Sequence, residues 1–400
     1  MKQLGRSVLS AAVTAVFATM AFDQASAASD VIKIGYITTL TTPASSIGRD
    51  QQDAVNLALE RIDRTIAGKK VQVIFEDDGT KPDLGRQKAE KLLMQDHVDL
   101  VGGFIWTNVL LAAEKPILDA GKILISNNAG PSQLAGNRCH ENFFSTFAEN
   151  DMLPRAVGEA MNKGGEKKLY TMAPNYIAGK EQVAGVLAAF KGSAVGADYT
   201  KWGVDPQLDF SAELAKVKAS GADTLFAFYP GAAGIAFVKQ FAESGLAGTV
   251  ELYSTFTIDQ ISLPVFQSGG VKAVLGSHVA SDWSPNLDNP ANKEFVEAFK
   301  VKYGRLPSNY AATAYDFVHF VKAAIEQSGG DVSNTRAVSQ ALRNAKYPSV
   351  RGAYKIGNNG YPILRFYSQT VVDGPIWTTK VDTLAMENVQ DPYAKDCALH

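Results

Sequence analysis

Short apolar runs alternate with helical patterns along most of the chain. The segments VIKIGYI (31–37), KVQVIFED (70–77), VDLVGG (98–103) and KILISN (122–127) read as strands. Between them, Val55, Leu59 and Ile62 share one face of a helix over 51–64. Pro82 stands near the start of a helix running to about 95, and another helix covers about 108–120. The pattern then starts again. KKLYTMA (167–173), a weaker run near 195–199, ADTLFAFY (222–229), TVELYS (249–254) and AVLGSHVA (273–280) read as strands, with helices around 179–190, 210–219 and 231–244. Strands separated by helices predict βαβ units and parallel sheets. The fold class expected is therefore α/β, with two doubly wound parallel-sheet halves of similar size. Helices fill 290–344, and 352–372 reads as a hairpin turning at Asn358-Asn359-Gly360.

The N-terminal 27 residues follow a different logic. Lys2 and Arg6 precede an apolar run from Val8 to Ala21, and Ala25-Ser26-Ala27 is a small-x-small cleavage site. This reads as a secretory signal peptide over 1–27, too short to make a good membrane span. The expected product is an exported, soluble protein.

Composition removes several function classes. Lys+Arg is 39 against Asp+Glu 41, a net charge of −2 without basic blocks, which argues against nucleic-acid binding. Two cysteines and five histidines exclude a disulfide-dense scaffold and leave little for a metal site. No G-x-G-x-x-G follows a strand, and there is no Walker loop, G-x-S-x-G elbow or H-E-x-x-H. Asp77-Asp78 suits loop capping better than a metal, and the scattered histidines, His278 included, read as structural. No catalytic set emerges, no cofactor is implied, and an exported binder is the reading that remains.

Open parallel sheets take ligands beyond the carboxyl ends of their strands. Three loops there are unusual. Residues 38–50 are rich in hydroxyls and carry Ser46 and Arg49. GGFIWTN (102–108) places Phe104, Ile105, Trp106 and Thr107 before a helix whose exposed N–H groups favour a carboxylate. SNNAGPSQ (126–133) offers Asn127, Asn128, Ala129 and Gly130. Ordinary turn chemistry explains the Gly, Pro and Asn content of these loops but not Phe104 and Trp106. In the second half, Tyr176, Tyr229, Thr255, Phe256 and Trp283 lie near strand ends. Each aromatic alone is more often core, but their shared placement makes them candidates for a cleft lining.

The stretches IKIGYITTLT…SSIGRDQQDAVNLALERID, VIFEDDGTKPDLGRQKAEKLL, VDLVGGF, KILISNNAGPS, APNYIAGKE, GADTLFAFYPGAAGIAFVKQF and NPANKEFVEAFKVKYGRLPSNYAATAYDFV, in this order, resemble the periplasmic solute-binding proteins of ABC transporters of the Leu/Ile/Val-binding type (type I). The resemblance covers nearly the whole chain after residue 27. It implies two α/β lobes joined by crossovers, one of 30–146 with 281–345 and another of 147–280 with 346–385. A tail over 386–400 is expected to return to the first lobe. It also implies an interlobe ligand, a permease in the inner membrane as partner, and no enzymatic step. A monomer is expected, located in the periplasm.

Amino-acid binders of this type place an acidic residue after the strand that corresponds to 249–253. Ser254-Thr255-Phe256 stands there instead, so a ligand ammonium would lack its counter-charge unless Asp259 or Asp282 supplied it. Together with Phe104 and Trp106, this departure favours the subgroup resembling aromatic-acid binders, with a benzoate- or cinnamate-like carboxylate as ligand. Branched-chain or other amino-acid binding, a sensory receptor subunit, and a hydrolase on the same scaffold are the rival readings. Export also changes the meaning of the two cysteines: in an oxidising compartment, Cys139 and Cys397 are expected to form one disulfide.

Overall fold

A computed structural model describes residues 30–399; the expected export segment, 1–27, lies outside them. The chain opens with β1 (Val31–Thr38), α1 (Ser45–Arg61), β2 (Thr65–Ile66), β3 (Lys69–Asp77), α2 (Pro82–Met94), β4 (Leu100–Gly103), α3 (Thr107–Asp119), β5 (Ile123–Ser126), α4 (Ser132–Ala135) and β6 (Phe143–Ser145). The strands form one sheet in the order β2-β3-β1-β4-β5-β6, parallel throughout except for β2. β4 and β5 are buried along their whole length, as expected of strands covered by helices on both faces.

A second unit follows: α5 (Met152–Gly164), β7 (Lys168–Pro174), α6 (Ile177–Ala189), β8 (Ser193–Thr200), α7 (Ser211–Ser220), β9 (Thr224–Phe228), α8 (Ala232–Glu243), β10 (Glu251–Thr255), α9 (Leu263–Ser268) and β11 (His278–Ser281). The chain then supplies α10 (Pro290–Tyr303), α11 (Asn309–Gln327) and α12 (Thr335–Arg343), the short pair β12 (Lys355–Ile356) and β13 (Pro362–Ile363), and finally β14 (Arg365–Val372) and β15 (Thr378–Glu387). The second sheet runs β15-β14-β11-β10-β9-β7-β8. Its last two strands are antiparallel additions beyond β11. α11 returns to the first unit, where Phe317 meets Tyr36 of β1 edge-on at 5.5 Å.

The chain therefore passes between the sheets after β6, after β11 and before β14. The second and third passages are tied by Arg351, which is fully buried and bonds Asp282, just after β11, and Asp316 on α11, each at 2.9 Å. Among the described residues no helix is long and apolar enough to cross a membrane.

Three expectations need correction. Residues 346–363, expected with the second half, pack on the first: Val350 is buried among the core residues around α11, and Ser145 N–H donates to the Gly360 carbonyl at 2.9 Å. The turn at Asn358-Asn359-Gly360 exists, but it joins only β12 and β13. The strand after it, β14, pairs with β15 through a second turn over 373–377. The expected strand over 273–280 is a 3₁₀ turn, Lys272–Val274, followed by β11, because Gly276 takes a left-handed φ of 87° that breaks the extended run.

Candidate functional site

Each sheet has one place where the strand order reverses. In the first, β1 lies between β3 and β4; in the second, β7 lies between β8 and β9. Loops leaving the carboxyl ends of strands at such a reversal diverge and leave a crevice. The loops in question are those after Thr38, Gly103, Pro174 and Phe228, and in this structure the two sets face each other.

Their aromatic side chains form a continuous wall. Trp106, after β4, meets Tyr176 edge-on at 6.2 Å and Trp202 at 6.0 Å. Tyr176 stacks on Trp202 at 4.8 Å with an interplanar angle of 9°, and on Phe228 at 6.3 Å. The wall continues from Phe228 to Phe256 at 6.0 Å and from Phe256 to Tyr310 of α11 at 5.3 Å. Rings from both units thus close on one another. Burial pushes the hydroxyls of Tyr176 and Tyr310 well above the usual tyrosine range, so both stay protonated.

The geometry that presents Trp106 begins with Gly103. Its φ is +108°, and a Cβ there would stand 2.2 Å from the Ile37 carbonyl oxygen. Phe104 follows with φ +71°, a conformation a bulky residue adopts only under constraint. The chain is thereby folded over β1, Phe104 is turned into the core, and Trp106 is left at the cleft. Phe256 repeats the device after β10 with φ +57°.

A narrow cavity of only about 20 Å³ lies within this wall. Ile105, Trp106, Thr107, Asn128, Ala129, Tyr176 and Phe256 line it, all anticipated from sequence, together with Asn150, Ala178, Gln182, Phe228, Pro230 and Tyr310. Its polar end is the start of α3. Thr107 Oγ1 accepts from Asn150 Nδ2 at 3.0 Å, which leaves its own hydrogen to donate. The N–H groups of Val109 and Leu110 turn back to the Trp106 carbonyl, whereas those of Thr107 and Asn108 have no helical partner. A hydroxyl with a hydrogen to donate beside a helix N-terminus is chemistry that favours a negative charge. Asn150 itself is held by Glu181, which also accepts from Ser132 N and Oγ at 3.1 and 2.5 Å, a bond network joining α4 of the first unit to α6 of the second. Burial raises the Glu181 carboxyl pKa, and the bonds from Ser132 and Asn150 oppose that rise.

Two further spaces adjoin. Towards the mouth, about 30 Å³ lies among Thr42–Ala44, Trp106, Trp202, Tyr229 and Ala232. On the other side of Phe256 and Tyr310, a space of about 30 Å³ is lined by Asp259, Asn309, Trp283 and their neighbours. A larger hollow of about 940 Å³ lies among α11, α12 and residues 344–356, but no strand-end loop reaches it.

The remaining anticipated residues sit elsewhere. Ser46 and Arg49 are exposed on α1. Asn127 is fully buried behind the sheet, taking the Tyr36 hydroxyl at 3.0 Å. Gly130 N–H is spent on Asn150 Oδ1 and Thr255 Oγ1 on Gln182 Oε1, so both brace the wall from behind. Trp283 is buried with its indole N–H bonded to Asn292 Oδ1 at 2.7 Å, outside the ring wall. His278 stacks on Tyr253 within the second sheet. Cys139 and Cys397 are disulfide-bonded.

A two-unit α/β scaffold with an aromatic cleft between the units is the architecture of a periplasmic-type binding protein. Residues 31–375 match the family described as periplasmic binding protein, and the chain belongs to that family. It is 25% identical to the Leu/Ile/Val-binding protein homolog 6 of Brucella melitensis, over 96% of this chain and 98% of that one. Among solved structures, it is similar to an ABC transporter solute-binding protein of R. palustris in complex with benzoate: TM-score 0.86, 25% identity, 92% of this chain and all of the other. A second, from Rhodopseudomonas palustris BisB5 in complex with 3,4-dihydroxybenzoic acid, gives a TM-score of 0.85 and 28% identity over 91% of this chain and 99% of that one.

Proposed function

We propose that this protein is the periplasmic solute-binding component of an ABC transporter, capturing a small aromatic carboxylic acid and passing it unchanged to an inner-membrane permease. The observation that carries the ligand class is the residue after β10: Phe256 lies in the cleft wall between Phe228 and Tyr310, where amino-acid binders of this type carry an acid. An aromatic ring suits such a wall, each ring contact adding about 0.5–1.5 kcal/mol beyond area burial. Its carboxylate suits the start of α3 at Thr107. The solved relatives that carry benzoate and dihydroxybenzoate support the same reading.

In this reading one lobe is 30–146 with 281–363, the other 147–280 with 364–387, and the tail from 388 to 399 returns to the first through the Cys139–Cys397 disulfide. Closure of the lobes brings Trp106 onto Tyr176 and Trp202, and the permease reads the closed form. Isothermal titration with benzoate, cinnamate, leucine and valine tests the assignment. Binding of the aromatic acids with no heat from leucine or valine is expected. The reverse result overturns it, and turnover of any ligand overturns the transport role.

A further inference from the structure

We propose that the hollow among α11, α12 and residues 344–356 is a second binding site, separate from the cleft, for a free long-chain carboxylic acid: an anionic head on an apolar chain. It goes beyond the transport role, because it gives the protein a ligand of another class at a place that no cleft residue reaches.

The hollow has two parts. The first, of about 940 Å³, carries Lys322, Arg343, Lys346 and Lys355 on its lining. The second, of about 640 Å³, lies against Phe320, Ala353 and Ile363. Residues 345–347 and 354–356 belong to both, so the parts are continuous and Lys346 and Lys355 stand at their junction. None of these residues lines the central cavity.

The charge around the hollow is unbalanced. Four cations share its lining with one acid, Glu326, which is tied to Lys322 at 2.6 Å. Arg343 donates to the carbonyls of Asn358 and Glu141 at 2.9 and 3.3 Å and lies 5.3 Å from the Phe144 ring centroid, so it bonds to no carboxylate. Lys346 and Lys355 have no acidic partner among the described residues. His319, on the same lining, has its pKa lowered by burial and adds no charge at neutral pH. A concave surface carrying one sign of charge concentrates ions of the other.

The floor between the two parts is fixed in advance. Tyr347 and Tyr354 bond hydroxyl to hydroxyl, and the Tyr354 hydroxyl also accepts from Arg351 Nη2 at 3.3 Å, with the guanidinium 5.1 Å from its ring centroid. Arg351 is the buried tie between the second and third passages, so the hollow is built on the most constrained part of the chain crossing. Small-ligand sites are largely pre-formed in this way, and volumes of this order suit a ligand larger than a single-ring acid. An alkyl chain whose carboxylate meets Lys346 and Lys355 reaches the second part, where each buried methylene adds to binding.

The probe is decanoate, titrated calorimetrically into the full-length mature protein below its micellar concentration, against decanol and decyltrimethylammonium. Decanoate is expected to bind, decanol to bind about tenfold or more weakly, and the cation not at all. The double variant Lys346→Glu, Lys355→Glu changes two exposed side chains and should cut decanoate affinity about tenfold or more. Ala353→Trp fills the second part from an exposed position and should abolish binding. Thr107→Val, in the cleft, should leave decanoate affinity within about twofold of the parent. The ranking of the three probes is read in the native protein, so it stands whether or not a variant folds.

Decanoate that does not bind, or binds no better than decanol, overturns the site. Binding that survives both hollow variants and is lost in Thr107→Val places the acid in the cleft and overturns it too. Capture by phosphatidylglycerol vesicles without affinity for free decanoate makes the hollow a membrane contact and likewise overturns the proposal. None of these results bears on the aromatic-acid reading of the cleft.

Discussion

The indole nitrogen of Trp106 donates to the hydroxyl of Thr39 at 2.8 Å, across the reversal point of the first sheet. Thr39 passes its own hydrogen to Asp78 Oδ1 at 2.6 Å, and Asp78, buried and pushed up to about 6, also receives Thr80 N–H. The cleft tryptophan is therefore aimed from beneath by a hydroxyl that itself is oriented by a carboxylate. Thr39→Val keeps the shape and leaves a buried indole N–H without an acceptor, a loss of about 1–3 kcal/mol. Benzoate affinity by titration calorimetry should fall roughly fivefold or more, and Thr39→Ser should restore it. Native affinity in the valine variant would show that ring packing alone holds Trp106.

Arg351 governs stability where Thr39 governs the cleft. Its guanidinium has no solvent exposure and neutralises Asp282 and Asp316, which are equally buried. Removing one partner of such a group leaves carboxylates in a low-dielectric interior, at a cost of about 3–5 kcal/mol. Arg351→Met should lower the urea midpoint accordingly. Because Asp282 follows β11 and Asp316 lies on α11, the same variant should loosen the passages between the units and raise the radius of gyration without ligand. A midpoint unchanged from the parent would mean that the two acids find other partners or protons.

Sequence reasoning reached the alternation of strands and helices because parallel strands buried on both faces are apolar runs, such as LVGG and ILIS. It missed what lacks that signature. β15 is largely exposed, with polar residues on most of its length, so its pairing with β14 left no apolar run to read. Trp202 was overlooked because it follows the weak, mostly exposed β8 in a loop of glycine and charge, yet a tryptophan just past a strand end was the available signal. Asn150 and Glu181 carry no motif; only the fold shows that they bond across the units, to Thr107 and Ser132, while Gln182 braces Asn150 and Thr255 from within the second unit. Trp283 takes a different place: it lines the space beyond Phe256 and Tyr310 and not the ring wall. It stands at a strand end like the cleft aromatics, but Asn292 on the following helix captures its indole.

The disulfide between Cys139 and Cys397 joins positions 258 apart. It holds a tail that also bonds through Tyr393 hydroxyl to Asp151 at 2.8 Å and through Ala394 carbonyl to Asn358. Neither cysteine lines the cleft. The double Cys139→Ser, Cys397→Ser variant should lose about 2–4 kcal/mol of stability or somewhat less. Its affinity for benzoate should remain within about twofold of the parent, a difference under 0.5 kcal/mol. A large loss of affinity would show that the tail supports the cleft as well as the fold.

Between the units, carboxylates crowd beside that tail. Burial, then the charges of Asp151 and Glu181, raise the Glu149 carboxyl pKa well above its ordinary value, and Asp151 and Asp391 are raised as well, first by burial. Glu149 Oε1 and Asp151 Oδ1 are buried without donors among the described residues. An acid whose pKa is raised on folding binds its proton more tightly in the folded state. Its contribution to stability is complete below the unfolded value, about 4.3 for glutamate, and is lost as pH rises through the folded value. Glu149→Gln removes this titration and gives the buried position a permanent N–H. By calorimetry the variant should melt above the parent at pH 8, by about a few degrees. The gap should shrink steadily towards pH 4.5, where the parent's own proton does the same work. Parallel melting curves for the two proteins from pH 4.5 to 8 would place the charge of Glu149 outside the folding equilibrium.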